Sequence, residues 1–182
     1  MRVRLVFSGS GGQGVITAAI ILAEAAVIRQ GLNATQSQSY GAAARGGSTR
    51  SDIIISDKEI DFPEVTQPNI LVCLTQAAYN SNASVIRPGG ILLSDSRFVQ
   101  TTRKVDAKQI ELPMYDSVME KIGKPVVFNI CMLGTLVAIT EVIKPKAVLE
   151  AVIAKVPKDF IDLNTRAFEL GMELGADYSW TK

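Results

Sequence analysis

The chain has 182 residues and a formal net charge of +1, from 19 basic and 18 acidic side chains, and it contains no histidine. The balanced charge argues against a nucleic-acid-binding or membrane-surface protein, because both depend on a broad basic field. Without histidine, the most common general base and metal ligand is missing. No apolar run approaches the roughly 20 residues that cross a bilayer. Because Met1 leads directly into a strand, we expect a cytoplasmic chain without a leader peptide.

The chain opens with a short apolar strand, a glycine turn and a long apolar helix. Residues 3–7 predict the strand and residues 15–29 the helix. Between them, Gly9, Gly11 and Gly14 match the spacing G-x-G-x-x-G, which permits a tight turn and close approach to an anion. Free amides and the positive dipole end at the start of the helix favour a phosphate or a carboxylate. The segment therefore predicts an anion site.

Two other interpretations of this turn stay open. A dinucleotide-binding fold places an acid roughly 20 residues after the glycines to hold the ribose hydroxyls, but residues 31–40 contain no Asp or Glu. A dinucleotide-dependent dehydrogenase would therefore lack both this acid and a residue for proton transfer. Alternatively, the glycines only form a tight turn between strand and helix in a purely structural subunit.

A second glycine-rich segment follows a weakly predicted strand at residues 32–38, with Gly31 as the expected C-cap of the first helix. The segment runs from Ser39 to Ser48 and contains Arg45 between small residues. Such an arginine is either a fork for a carboxylate or phosphate, or an exposed charge at a turn. Because the segment is too polar for a core and too apolar for a linker, we expect it at a site or a subunit contact.

Four further strands are predicted at residues 50–56, 69–75, 91–95 and 109–113. The last alternates polar and apolar residues and ends in a proline, as an edge strand does. Ligands bind at the carboxyl ends of strands in α/β sheets, so polar residues there are secondary candidates for the site. These are Thr75, Gln76, Tyr79 and Asp95, each of which has an alternative role in capping or packing.

The last third of the chain is helical, with helices predicted at residues 115–122, 129–143, 146–156 and 158–174. The second is apolar almost all round, so it must be covered on every side. We expect a partner chain or a homodimer contact to supply part of that cover. The pattern as a whole predicts an α/β, three-layer Rossmann-like sandwich with a mostly parallel sheet, an edge strand and a helical C-terminal third. We expect a single domain over residues 1–182.

Two cysteines, Cys73 and Cys131, lie in apolar runs without a metal-binding spacing. We therefore expect core thiols. An iron–sulfur cluster needs four thiolates, so this chain cannot hold one alone. No catalytic residue and no metal ligand are predicted, and any chemistry must come from something that the chain binds.

The glycine motifs together resemble the gamma subunit of the 2-oxoacid:ferredoxin oxidoreductases. In that family a G-x-G-G-Q-G opening, an S-Y-G…R-G-G segment and a later P-G-G follow one another, and they match residues 9–14, 39–47 and 88–90. The helix that contains Asn129 and Gly134 resembles the family's as well. The 2-oxoglutarate branch is the most similar, although subunits for pyruvate, branched-chain oxoacids and indolepyruvate share these motifs.

The resemblance implies oxidative decarboxylation of a 2-oxoacid to an acyl-CoA with reduction of ferredoxin. Thiamine diphosphate, magnesium and iron–sulfur clusters would belong to partner alpha and beta subunits, with a delta subunit as a further candidate. This chain would complete the assembly and share in binding coenzyme A, and it would be inactive alone. The residues that the resemblance and the motifs nominate for cofactor binding are Gly9, Ser10, Gly11, Gly12, Gln13, Gly14, Ser39, Tyr40, Arg45, Gly46 and Gly47.

Overall fold

The computed structural model describes residues 1–42 and 46–180, so the predicted site residue Arg45 lies outside the described residues. The strands are β1 (Arg2–Ser10), β2 (Asn33–Tyr40), β3 (Ser48–Ser56), β4 (Ile70–Cys73), β5 (Gly90–Asp95) and β6 (Ala107–Leu112). They form one sheet in the order β2-β3-β1-β4-β5-β6. β3 is antiparallel to both of its neighbours, whereas β1, β4, β5 and β6 pair in parallel. The predicted mostly parallel sheet with the last strand at an edge is confirmed.

The opening strand–turn–helix is present as predicted. β1 is buried on both faces, because Leu5 and Phe7 pack into one hydrophobic cluster and Val6 into another on the opposite face of the sheet. Helix α1 (Val15–Glu24) continues through a π-helical turn (Ala25–Arg29). The helix ends at Gly31, whose φ of 66° and N–H bond to Val27 O (3.2 Å) confirm the predicted C-cap.

The second strand explains the missing ribose-binding acid. In a dinucleotide-binding fold the second strand lies beside the first, so its carboxyl end adjoins the glycine turn. Here β2 forms a hairpin with β3, and β3 separates it from β1. The end of β2 is therefore one strand further from the glycine turn than a dinucleotide-binding acid would be.

Two hydrophobic clusters cover the two faces of the sheet. The helices after α1 are α2 (Gln76–Asn82), α3 (Met114–Lys121), α4 (Phe128–Thr140), α5 (Pro145–Lys155) and α6 (Ile161–Gly175). Ile53 and Ile55 of β3 pack into the cluster with α1, α4, α5 and α6, whereas Ile54 packs into the cluster with α2. This alternation follows from the two-residue period of a strand. It confirms the three-layer arrangement.

Helix α4 is covered by its own chain. Every residue from Phe128 to Thr140 except Ala138 is buried, and α4 contacts α1, α3, α5 and, above all, α6. The expectation that this helix needs a partner chain for its cover is therefore wrong, because the helices that follow it in the sequence fold back over it. Among the described residues, no helix is both long and apolar enough to cross a membrane.

Glycines allow α4 and α6 to approach closely. A Cβ added at Gly171 would collide with the carbonyl oxygen of Cys131 and would lie 2.7 Å from the backbone nitrogen of Thr135. A Cβ at Gly134 would collide with the carbonyl oxygen of Phe168. These are backbone atoms of packed helices, so they cannot move aside without separating the two helices.

We predict that Gly171→Ala lowers the free energy of unfolding by about 3 kcal/mol, as overpacked cores do. The clash outweighs the roughly 1 kcal/mol that alanine gains over glycine in a helix. Urea denaturation followed by circular dichroism measures the difference. As a control, Glu169→Ala on the exposed side of the same helix should change stability by no more than about 0.5 kcal/mol. A Gly171→Ala variant as stable as the wild type would contradict the close α4–α6 packing.

Candidate functional site

The two glycine segments meet at one edge of the sheet, beside the carboxyl end of β1. The Gly11 N–H donates to Gly47 O (2.9 Å), and the Gly41 N–H donates to Ser48 O (2.7 Å). A Cβ at Gly11 would lie 3.5 Å from the backbone of Gly46. The structure thus brings the first glycine turn together with the described end of the second segment.

Gln13 closes the first glycine turn from within. Its Oε1 accepts the Ser10 N–H (2.8 Å), and its Nε2 donates to Leu74 O at the end of β4 (3.0 Å). A Cβ at Gly9 would lie 2.5 Å from the same Oε1, so only glycine leaves room for this side chain. The N–H groups of Ser10 and Gly11 are therefore engaged by the chain itself and are not free for a ligand.

Free amides remain at the start of α1. Gly14 is the N-cap with a φ of 72°, and among the described residues no side chain caps the helix. The first intrahelical bond is from the Ala18 N–H to Gly14 O (3.0 Å). The N–H groups of the first turn, up to Thr17, consequently have no partner within the helix. Together with the helix dipole they favour an anion.

The start of α1, at Gly14 and Thr17, borders a cleft of about 350 Å³ between α1, the start of α4 and the connection from α5 to α6. Gly12, Gly14 and Thr17 form one wall. The remaining walls are mainly apolar with three polar side chains, and consist of Ile21, Val126, Val127, Asn129, Ile130, Lys155, Val156, Pro157, Phe160 and Asn164. An apolar cleft with a few placed polar groups is the usual form of a small-molecule site.

Two buried asparagines supply the polar groups of the cleft wall. Asn129 and Asn164 are each 7% exposed. The Asn129 Nδ2 donates to Gly14 O (3.3 Å), and the Asn164 Nδ2 donates to Phe160 O (2.9 Å). Both side chains line the cleft. Asn129 also explains Gly14, because a Cβ there would lie 2.5 Å from the Asn129 Nδ2.

Lys155 brings a positive charge to the cleft. Its ammonium group pairs with the carboxylate of Glu24 on α1, and its side chain forms part of the cleft wall. The pair is partly exposed, so it contributes little to stability. A bound anion could instead compete with Glu24 for this ammonium group.

The predicted site residues therefore divide into two groups. Gly12 and Gly14 line the cleft, while Gly9, Ser10, Gly11 and Gln13 form the hydrogen-bonded turn behind it. Ser39, Tyr40, Gly46 and Gly47 lie on the hairpin side of the turn and are not part of the cleft wall. That these residues bind a cofactor stays a prediction.

Sequence reasoning missed the residues on the far walls. Asn129 carried a signal, since it is the first polar position in an otherwise apolar helix. Lys155 and Asn164 carried none, because their place in the cleft depends on how the connection from α5 to α6 packs against α1.

The secondary candidates have structural roles. The Thr75 hydroxyl caps α2 by accepting the Ala78 N–H (3.1 Å). The buried Tyr79 hydroxyl accepts the Arg103 N–H (2.9 Å) and donates to Gln109 (2.9 Å), while Gln76 bonds the backbone of residue 100. The Asp95 carboxylate accepts the N–H of Tyr115 in the first turn of α3 (2.7 Å), and burial raises its pKa.

The two thiols are core groups, as predicted. Cys73 and Cys131 are both buried, and burial raises the pKa of each to about 12. Both therefore pack in the hydrophobic core as small apolar groups. Within residues 1–42 and 46–180, no group of three or more acidic or cysteine side chains is placed to hold a metal ion.

Known proteins match almost the whole chain. The family described as pyruvate ferredoxin/flavodoxin oxidoreductase matches residues 4–174. The 2-oxoglutarate synthase subunit KorC of Methanocaldococcus jannaschii is 40% identical over 97% of this chain and 96% of that protein. KorC of Methanothermobacter marburgensis is 38% identical over 96% of this chain and 97% of that protein. The ketoisovalerate oxidoreductase subunit VorA of Methanothermobacter thermautotrophicus is 30% identical over 94% of this chain but only 36% of VorA.

Solved structures match the fold. The gamma subunit of keto/oxoacid ferredoxin oxidoreductase from Geobacter sulfurreducens superposes with a TM-score of 0.89 at 39% identity, over 97% of this chain and 98% of that chain. A chain of the 2-oxoglutarate:ferredoxin oxidoreductase from Magnetococcus marinus, solved with 2-oxoglutarate, coenzyme A and succinyl-CoA, shares the fold. Its TM-score is 0.87 at 20% identity, over 100% of this chain and 32% of that chain. The chain therefore belongs to the pyruvate ferredoxin/flavodoxin oxidoreductase family, as a gamma-type subunit of an oxoacid oxidoreductase complex.

Proposed function

We propose that this chain is the gamma subunit of a cytoplasmic 2-oxoglutarate:ferredoxin oxidoreductase. The reaction takes 2-oxoglutarate, coenzyme A and two oxidised ferredoxins to succinyl-CoA, carbon dioxide, a proton and two reduced ferredoxins. The observation that carries the substrate is the identity of 38–40% to 2-oxoglutarate synthase subunits over nearly their full length. The ketoisovalerate subunit VorA is less similar, at 30%.

The cofactors divide between this chain and its partners. Thiamine diphosphate with magnesium and the iron–sulfur clusters belong to alpha and beta subunits, and to a delta subunit where one is present. The chemistry of this chain is consistent with that division, because it has only two cysteines, both buried in the core, whereas a cluster needs four thiolates. Electrons reach ferredoxin through the partner subunits, and this chain completes the assembly.

The share of this chain in the reaction is to help bind coenzyme A in the cleft beside α1. The coenzyme has phosphates that suit the free amides of the first turn of α1 and the ammonium group of Lys155. Its pantetheine arm is largely apolar and carries amide N–H groups, which match apolar walls with the amide oxygens of Asn129 and Asn164. A cleft of about 350 Å³ holds only part of coenzyme A, so neighbouring subunits bind the rest.

A purely structural subunit is the second candidate. The observation that favours it is the engagement of the Ser10 and Gly11 N–H groups by Gln13 and Gly47 within the chain. In that case the glycine segments hold the hairpin against β1, and coenzyme A binds entirely on other chains. The dinucleotide-dependent dehydrogenase is disfavoured, because β2 does not adjoin β1 and carries no acid.

The substrate assignment is tested on the complex purified through a tag on this chain. We expect alpha and beta subunits to copurify. The complex should reduce ferredoxin with a kcat/KM for 2-oxoglutarate at least tenfold above those for pyruvate, 2-oxoisovalerate and indolepyruvate. A tenfold preference corresponds to about 1.4 kcal/mol of transition-state binding. Equal or greater efficiency with another oxoacid would remove 2-oxoglutarate as the substrate.

The coenzyme A site is tested with Thr17→Asp. Position 17 is exposed and lies in the first turn of α1, where a carboxylate favours the helix dipole and should not harm folding. The same carboxylate repels a phosphate at the free amides, so we predict a KM for coenzyme A at least tenfold higher in the holoenzyme. Release of carbon dioxide from 2-oxoglutarate in the first turnover, before coenzyme A reacts, should stay within twofold of the wild type.

The matched control is Thr17→Asn, which has nearly the shape of the aspartate without its charge. Asparagine carries no charge that would repel a phosphate, so its KM for coenzyme A should remain within about threefold of the wild-type value. A tenfold increase in KM would require about 1.4 kcal/mol of repulsion. An unchanged KM in Thr17→Asp would leave the structural role as the function of this chain.

A further inference from the structure

We propose that the edge of β2, with the adjacent flank of α1, binds an uncharged extended segment of a partner subunit, which adds a seventh strand to the sheet. This inference rests on the proposed function only in taking the partner to be another subunit of the same oxidoreductase. It adds where the partner binds this chain, at the β2 edge, and how it binds, by pairing as a further strand.

Within the part of the chain that the structure describes, the β2 edge shows none of the features that normally block pairing. Proteins protect exposed edges with charged side chains, prolines, bulges or a covering segment. None of the eight residues Asn33–Tyr40 is charged or a proline, and their register with β3 is continuous from end to end. No residue of β2 is buried. The outer backbone groups of this strand are therefore available for another strand.

The opposite edge of the sheet shows the contrast. β6 carries the charged side chains of Lys108 and Glu111. The C-terminal segment also folds against that end of the sheet, where Lys108 donates to Ser179 O (3.1 Å) and the Trp180 indole donates to Gly89 O (3.3 Å). One edge is thus protected by charge and by a covering segment, while the other is left open.

Helix α1 adds an apolar flank beside the open edge. Ile16, Ile20, Ala23 and Val27 follow one another at three- and four-residue spacings, so they share a side of the helix. None of them is fully buried, and Val27 is 45% exposed. Thr17 and Ile21 face the cleft on the other flank, and α1 contacts β2 and β3. The stripe therefore lies on the side of α1 that faces away from the cleft, and we take it as the flank of the β2 edge.

The occupant is a separate subunit because of how this domain occurs in relatives. The chain spans only 36% of VorA and 32% of the matching chain of the M. marinus enzyme, so there the same domain is part of a longer polypeptide. The rest of those polypeptides is held to this domain covalently, at fixed stoichiometry. Here the domain is a chain of its own, so a partner subunit must be held by a surface of this chain. An uncharged edge with an apolar flank offers no partner for charged side chains, so it favours an uncharged, partly apolar extended segment.

Hydrogen–deuterium exchange of the isolated chain and of the assembled oxidoreductase tests this surface. In the isolated chain we expect the peptides that cover Asn33–Tyr40 to exchange quickly, since half of their N–H groups face solvent. In the complex their exchange should slow at least tenfold. Unchanged exchange of these peptides on assembly would overturn the inference. So would slow exchange in the isolated chain that depends on its concentration, since the occupant would then be a second copy.

Two variants test the same surface by affinity. Ser37→Lys places a charge on the exposed edge strand, and Ile20→Lys places one on the α1 flank. Each should weaken assembly at least tenfold in a titration of partner subunits, while the thermal transition of the isolated chain is kept. The control is Ser81→Lys on the exposed side of α2, which should assemble as the wild type does. Wild-type affinity in both test variants would refute the proposed contact.

These outcomes separate the two proposals. If the wild-type chain assembles with oxoacid oxidoreductase subunits while β2 exchanges as fast as before, only the docking surface is wrong. If the wild-type chain binds no such subunit, the proposed function fails, and the docking surface fails with it. Complexes that do form with Ser37→Lys should turn over at the wild-type rate per complex, because the variant changes assembly and not the cleft.

Discussion

The arrangement of this subunit depends on the close approach of α1 and α4 at Gly14. The residue adopts a φ of 72°, which L side chains rarely adopt, and its Cα lies against the Asn129 side chain. The positive φ of Gly14 sets the direction in which α1 leaves the turn, and the contact with Asn129 sets how closely the start of α4 approaches α1. The cleft, its free amides and its asparagine wall follow from this contact. A larger residue at position 14 would both strain the turn and separate the two helices.

The fold was largely predictable from the sequence because its signals are local. Apolar strands bounded by glycine or proline, and helices with clear ends such as Gly31, were each placed within a few residues. The position of β2 was not predictable in the same way. Its composition, Asn33–Tyr40, is that of a weak strand, and only pairing with β3 decides that it lies at the edge and not beside β1. That pairing depends on contacts between residues far apart in the sequence.

The candidate site was only half predictable, for a related reason. The glycine spacing indicated where backbone amides would be concentrated, but not which of them the chain would use itself. Gln13 decides that, since its side chain bonds both Ser10 and Leu74, and a glutamine in a turn gives no sign of such a role. For α4, the sequence led to the expectation of a partner contact where the chain covers the helix itself. An apolar helix does need cover on every side, but the sequence pattern does not say whether that cover belongs to the same chain.

Helix α1 explains why such an apolar segment occupies a partly exposed position. Its inner side, with Val15, Ala18 and Leu22, packs on the sheet, as in any α/β protein. One remaining flank, with Thr17 and Ile21, borders the cleft, and Ile16 and Ile20 lie on a further side that is only partly buried. A helix with only one of these neighbours would carry charged residues on the rest of its surface. The absence of any charged residue between Val15 and Ala23 is accounted for if, in the assembled enzyme, one side of α1 packs on the sheet, one lines the cleft and one contacts a partner subunit.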